Sequence, residues 1–199
     1  MVKKFNNVYQ FKITLKDTKP PIWRRIQVPE TFTFWDLHFT IQDAMGWFNF
    51  HLHDFNIKDP ITNESILIGK PQEDIFFKTK KELPGWEEKI ADRFYKENIS
   101  AIYTYDFGDN WEHDIELEKI LSKKEDIKYP ICLAGKLACP PESCGGIPGY
   151  YHLLEIMNDK CHEDYESMID WLGGEFDPEE FNPDDVRFSI PRTPDQEFL

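Results

Sequence analysis

The chain has 199 residues, of which 40% are hydrophobic and 15% are aromatic, so it has enough apolar surface for one folded domain. Its net charge is -14, and residues 155–199 hold 14 acidic but only 3 basic side chains, which disfavours nucleic acid as a partner. No apolar run has membrane-spanning length, and the N-terminus lacks the apolar segment of a signal peptide. We therefore expect one cytoplasmic domain over residues 1–199, with its four cysteines kept as thiols.

Two strands are predicted at the start of the chain. Residues 8–16 and 22–28 alternate apolar and polar side chains, and residues 17–21 between them have turn chemistry, so the pair is expected to form an antiparallel hairpin. The basic side chains of this region are Lys12, Lys16, Lys19, Arg24 and Arg25. They are the residues from which a local positive patch would be built.

A helix and a third strand follow. Apolar residues over 34–45 recur at helical spacing, Thr33 and Asp36 have the spacing of a capping box, and Gly46 ends the pattern. Residues 50–57 alternate again and predict a strand with His51 and His53 on one face. Residues 58–100 are less regular and contain one short strand pattern at 65–68, so we interpret them as a long excursion whose role the sequence does not define.

The clearest local pattern is a second hairpin. Residues 101–107 and 111–121 both alternate, and a three-residue connection of Gly, Asp and Asn joins them. This predicts that Phe107 shares a face with Tyr103 and Tyr105, and that the acidic side chains of the second run face water. Further along, apolar stripes predict short helices near 150–157 and 165–172, and Pro residues after capping residues predict helix starts at 177–180 and 182–185.

Several phrases, taken in order, resemble the plasmid pRiA4b ORF-3-like family over about residues 8–188. They lie at residues 21–25, 34–47, 51–55, 105–113, 139–146, 149–150, 171–172 and 176–181. The resemblance implies a single α+β domain with helices packed on a largely antiparallel sheet and a helical, acidic C-terminal part, followed by a tail at 189–199. It also implies an association in part with mobile elements, but no catalytic residues, and it leads us to expect variation at Cys144.

Aromatic, histidine, carboxylate and glycine residues concentrate in the segments 51–54, 106–113 and 139–146. We expect these segments to meet at one aromatic and polar hollow that receives a protein or a small molecule, as in a binding or adaptor domain without catalytic activity or cofactor. The candidate binding residues are His51, His53, Asp54, Asp106, Asp109, Trp111, His113 and Glu142. A basic protein partner would also be attracted to the acidic C-terminal third.

Two other functions remain as alternatives. A metal-dependent hydrolase, for example of phosphodiesters, would hold Zn²⁺ or Mg²⁺ with ligands from His51, His53, Asp106, Asp109 and His113. A weaker set of zinc ligands is Cys139, Cys144, Cys161 and His162, because their spacing lacks paired Cys-x-x-Cys motifs. The second alternative is a mobile-element accessory protein that binds DNA weakly through its N-terminal basic residues. Histidines in apolar stripes, such as His38 and His113, are more often hydrogen-bonded core residues than ligands.

Overall fold

The computed structural model describes residues 4–59, 62–71 and 82–191. The strands in these ranges are β1 (Asn7–Leu15), β2 (Trp23–Pro29), β3 (His53–Lys58), β4 (Ser65–Gly69), β5 (Glu82–Pro84), β6 (Ser100–Tyr105), β7 (Trp111–Ser122) and β8 (Ile131–Lys136). The helices are α1 (Phe34–Met45), α2 (Ile90–Arg93), α3 (Gly146–Asn158), α4 (Tyr165–Leu172) and a 3₁₀ turn at Pro183–Asp185.

The described strands form one eight-stranded sheet in the order β5-β4-β3-β6-β7-β1-β2-β8. All pairings in it are antiparallel except the parallel pair of β4 and β5. The α+β class implied by the sequence is therefore confirmed. The excursion after β3 adds β4, β5 and α2 before the chain returns as β6, so it extends one side of the sheet, while residues 60–61 and 72–81 lie outside the described part.

Alternation along the strands divides the sheet into a core face and an outer face. On β1, Phe11 and Ile13 are completely buried, and the register aligns Ile13 with Ile115 of β7. Helix α1 packs against the core face through Phe34, whose ring meets that of Phe55 edge-on at 5.1 Å. The predicted hairpin of β1 and β2 and the predicted helix 34–45 are both present.

The buried Arg24 joins four parts of the fold. It is only 1% exposed, and its guanidinium donates to the carbonyl oxygens of Ala44 (2.9 Å), Trp23 (2.9 Å) and Lys136 (3.1 Å). The ring of Phe181 covers the guanidinium at 3.7 Å, which brings the chain after α4 back over β8. Since Arg24 lies inside the fold, it does not contribute to a basic surface patch.

On the outer face of the sheet, cross-strand ion pairs connect the three neighbouring strands β7, β1 and β2. Lys16 binds Glu112 at 2.7 Å, and Arg25 binds Glu118 through both Nε and Nη2 at 2.7 Å. The acidic stripe predicted to face water is therefore partly neutralised, because Glu112 and Glu118 are half-buried against these cations. Each of these pairs also occupies a basic residue of the predicted N-terminal patch.

Three local predictions are wrong. The connection between β6 and β7 spans Asp106–Asn110, because Asp106 takes a positive φ of 54° and turns the chain away, which leaves Phe107 45% exposed. Strand β3 begins at His53, so His51 precedes the strand and does not share its face. Residues 177–180 form only a turn, whereas the start predicted at 182–185 becomes the 3₁₀ turn capped by Asn182.

The cap of α1 gives a stability test. Asp36 N donates to Thr33 Oγ1 at 3.2 Å, and the Asp36 carboxylate accepts from Thr33 N at 2.8 Å, which completes the predicted capping box. We expect Thr33→Ala to lower the free energy of unfolding by about 1 kcal/mol, because these helix-end groups lose their partners. Urea unfolding measures the change, and Thr33→Ser, which keeps the hydroxyl, is the matched control. Equal stability of Thr33→Ala and the parent protein would contradict a role for this cap.

Candidate functional site

The candidate site lies at the end of the sheet where β3 and β7 begin and β6 ends. The register places His53 opposite Tyr105 and Tyr105 opposite Trp111, so these three side chains form one row on the core face. The next row on that face contains Tyr103 and His113, which are also paired. The alternation of β6 and β7 therefore gathers aromatic and histidine side chains at one end of the sheet.

Glu142 links this end of the sheet to the loop that follows α1. Its carboxylate accepts a hydrogen bond from the Tyr105 hydroxyl and another from Phe48 N at 3.1 Å. The same hydroxyl accepts from Phe50 N at 3.0 Å. Burial, together with the neighbouring Glu142 charge, raises the pKa of Tyr105, so this phenol stays protonated and donates to Glu142.

The hairpin tip contacts the loop 139–146 directly. Asp109 Oδ2 accepts from Gly145 N at 3.1 Å. Gly146 has a φ of 66°, and a Cβ there would lie 2.5 Å from the Asp109 carbonyl oxygen, so only glycine fits this approach. On the other side, Trp47 Nε1 donates to Pro140 O at 2.9 Å. The loop is thus fastened both to the hairpin and to the segment after α1.

The contact among the loop after α1, the hairpin tip 106–110 and the loop 139–146 is called the junction below. His51 and Asp106 complete it. Asp106 N donates to Leu52 O at 2.9 Å, and the Asp106 carboxylate accepts from Gly108 N at 2.9 Å within the turn. His51 Nε2 lies 3.5 Å from Asp106 Oδ2 and 3.5 Å from Ser143 Oγ. The structure therefore brings His51, Asp106, Asp109 and Glu142 together from three remote segments.

The remaining sequence candidates lie elsewhere. His53, Trp111 and His113 are 3%, 0% and 0% exposed, so they do not line a solvent-accessible hollow, contrary to the expectation from the sequence. They belong to the hydrophobic core, because they sit on the core face of their strands. Asp54 alternates with His53 and lies on the outer face of β3, away from the junction.

A buried histidine pair supports the junction from below. The rings of His38 and His53 stack at 3.4 Å with an interplanar angle of 5°. His38 Nε2 donates to Asn49 Oδ1 at 2.7 Å, which leaves Nδ1 to accept from the Tyr103 hydroxyl at 2.8 Å. Burial lowers the pKa of His38 to about 3, so the ring is neutral in the tautomer that these bonds require.

Within the described ranges, no group of three or more His, Cys, Asp or Glu side chains is arranged to hold a metal ion. Cys139 and Cys144 precede α3 while Cys161 and His162 follow it, and a helix of 13 residues separates the two pairs by about 20 Å. Burial raises the pKa of Cys139, and it raises that of Cys144 to about 12. Both thiols are therefore protonated at neutral pH, a state that does not favour nucleophilic attack.

Sequence reasoning missed the most exposed part of the junction. Phe48 and Phe50 are 72% and 71% exposed, and their rings stack at 5.8 Å with an interplanar angle of 26°. We call these two rings the aromatic surface. The sequence feature that indicates these rings is the segment Phe-Asn-Phe after Gly46, the residue that ends α1. Its apolar side chains do not belong to the amphipathic pattern of that helix.

The class of protein follows from the fold. It is a single α+β domain in which one end of a largely antiparallel sheet supports a junction of three loops. None of the helices in the described residues is long and apolar enough to cross a membrane. The family model for plasmid pRiA4b ORF-3-like protein matches residues 7–185, and the chain belongs to this family. The match begins and ends within a few residues of the range, 8–188, that the sequence phrases suggest.

Two relatives cover most of the chain. A protein of Sinorhizobium fredii, named uncharacterized protein y4hQ, is 32% identical over 176 residues, which are 84% of this chain and 81% of that protein. The crystal structure of MM3350 from Methanosarcina mazei Go1, described as a protein of unknown function, is 45% identical and superposes with a TM-score of 0.84. That comparison covers 93% of this chain and 100% of the archaeal one, so the fold is common to both.

The buried histidines predict a loss of stability in acid. His38 and His113 have folded pKa values of about 3 and about 4, because burial disfavours the charged ring. In the unfolded chain both regain an ordinary pKa near 6.5, so unfolding takes up protons below that pH. The contribution of each neutral histidine to stability is then nearly complete above about pH 7. It falls by about 2 kcal/mol per histidine between about pH 7 and pH 5, and it falls further until the folded pKa is reached.

Urea unfolding across this pH range measures the dependence. His113→Gln should reduce the slope with pH, since one titrating group is removed, whatever its effect on stability at neutral pH. His152→Gln is the control, because this side chain is 61% exposed. Identical slopes for His113→Gln and the parent protein would contradict the assignment.

The Tyr105 hydroxyl gives a test of the junction itself. We expect Tyr105→Phe to cost about 1 to 2 kcal/mol, because Glu142 and Phe50 N lose a partner in a largely buried setting. Hydrogen exchange of residues 47–51 should accelerate at the same time. Tyr95→Phe, at a tyrosine that is 47% exposed, is the control. Unchanged exchange in the Tyr105 variant would show that the loop is held by other contacts.

Proposed function

We propose that this protein is a binding domain that recognises a protein partner through the aromatic surface of Phe48 and Phe50. The observation that carries the proposal is the exposure of two adjacent, stacked phenylalanines at 72% and 71%. Clustered exposed apolar rings are unfavourable in water and typically mark interaction sites. Aromatic side chains also supply much of the affinity at protein interfaces.

The aromatic surface is held in a fixed arrangement before any partner binds. Phe48 N donates to Glu142 and Phe50 N donates to the Tyr105 hydroxyl, so the backbone at both rings is fixed. Tyr105 itself lies in a buried row of the sheet, and its residue is 0% exposed. A rigid binding surface loses less conformational entropy on association, which favours specific recognition over non-specific binding.

A role in binding rather than catalysis also agrees with the state of the histidines beneath the site. His38, His53 and His113 are buried, so a substrate in solvent does not reach them, and burial lowers the pKa of each, so their rings carry no charge at neutral pH. We further propose that the domain acts in the cytoplasm. All four cysteines are free thiols, which is the usual state in a reducing compartment.

Selection from a phage-displayed library of random linear peptides tests the proposal. Peptides enriched on the parent protein should bind the double variant Phe48→Ser/Phe50→Ser at least about tenfold more weakly, because the apolar contact area is lost. The variant should keep its stability within about 0.5 kcal/mol, since both side chains are exposed.

Trp171→Ser is the matched control, because Trp171 is a 51% exposed aromatic residue on α4, outside the junction. Its effect on the same peptides should be less than about twofold. The proposal fails if no peptide is enriched, or if the enriched peptides bind both variants as tightly as the parent protein.

A further inference from the structure

We infer that the partner presents a positively charged segment to this site, with Lys or Arg next to an apolar residue. The inference rests on the proposed function, since it names the chemistry of the segment that contacts the aromatic surface. Its basis is the way in which aromatic rings, carboxylates and cations are combined at two other places on the molecule, compared with the junction.

At two other places on the surface, a half-buried ring near a carboxylate is covered by a cation of the chain itself. Arg25 lies over the Trp23 ring at 5.1 Å while it binds the Glu118 carboxylate at 2.7 Å. Lys123 lies over the Phe5 ring at 5.1 Å and 3.5 Å from the Glu125 carboxylate. Both groups combine a cation–π contact with an ion pair, an arrangement that satisfies the cation on two sides.

At the junction, exposed aromatic rings lie next to carboxylates, but no described cation of the chain covers the rings. Glu142 contacts the backbone of Phe48, and Asp106 and Asp109 lie in the adjoining hairpin tip. Their hydrogen-bond and ionic partners are a hydroxyl, backbone amides and His51, and among the described residues no Lys or Arg side chain pairs with any of the three. Nor does a described cation lie over the Phe48 or Phe50 ring. The site therefore carries uncompensated negative charge next to exposed aromatic faces.

Charge complementarity distinguishes among a cationic peptide, a second copy of this chain and nucleic acid as the molecule that binds at this site. A cationic peptide gains both attraction to the carboxylates and contact with the rings, and its alkyl chains can lie along the apolar surface. A second copy of this chain brings a net charge of -14 against an acidic site, so self-association at this surface is disfavoured. Nucleic acid is repelled for the same reason.

The test uses the enriched peptides of the preceding selection, synthesised and titrated by fluorescence anisotropy. Peptides that depend on Phe48 and Phe50 should contain Lys or Arg beside an apolar residue. The double variant Asp109→Asn/Glu142→Gln should weaken their binding about tenfold, because the amides keep acceptor oxygens but lose the charge. Raising the salt concentration should weaken binding to the parent protein more than binding to this variant.

The control variant is Glu166→Gln/Asp170→Asn, which removes the same charge from exposed positions on α4 and should change binding less than about twofold. Enriched peptides that need Phe48 and Phe50 but are neutral or acidic, or that ignore Asp109→Asn/Glu142→Gln, would overturn the inference while the proposed function stood. Loss of the dependence on Phe48 and Phe50 would instead refute the proposed function. A concentration-dependent dimer that Phe48→Ser/Phe50→Ser abolishes would assign the surface to a second copy and would also overturn the inference.

Discussion

The Glu142 carboxylate is the group on which the arrangement of the junction depends. It accepts from the hydroxyl of Tyr105, a residue fixed in the sheet, and from the backbone of Phe48, which lies in the loop after α1. A charged acceptor forms stronger hydrogen bonds than a neutral one, and the bond from Tyr105 is partly shielded from water. One side chain thus connects the loop 139–146, the sheet and the loop after α1, and it does so with a charge that no described Lys or Arg neutralises.

The same sheet alternation that builds the core also determines which polar residues remain available to a partner. His53, Trp111 and His113 fall on the core face and are buried, whereas His51 and Asp109 lie in connections just beyond the strands and stay partly exposed. A shift of one or two positions therefore decides whether a residue near a strand end is buried in the core or exposed to a partner. This is why a cluster in the sequence separates into a buried layer and an exposed layer in the fold.

Much of the fold was predictable because its determinants are local. The capping box at Thr33, the alternation on either side of the hairpin tip and the glycine at position 173, with a φ of 74°, each act within a few residues. The contact among three remote segments was predictable only as a concentration of residue types. The positive φ of Asp106 was not, since its backbone is also held by the bond from Asp106 N to Leu52 O, which forms only when the two segments meet.

The aromatic surface shows the limit of pattern analysis. An alternating or helical pattern identifies apolar residues that face a core. Phe48 lies outside both patterns, and Phe50 begins the run 50–57 on the face opposite His51 and His53, so neither pattern assigns these rings to a core. Their exposure follows from tertiary bonds to their backbone, which hold the loop while the rings point to solvent. An apolar residue that no pattern assigns to a core, next to residues that can fix its backbone, is then a better indicator of a binding surface than a histidine on the core face of a strand pattern, because the strand that displays the histidine also buries it.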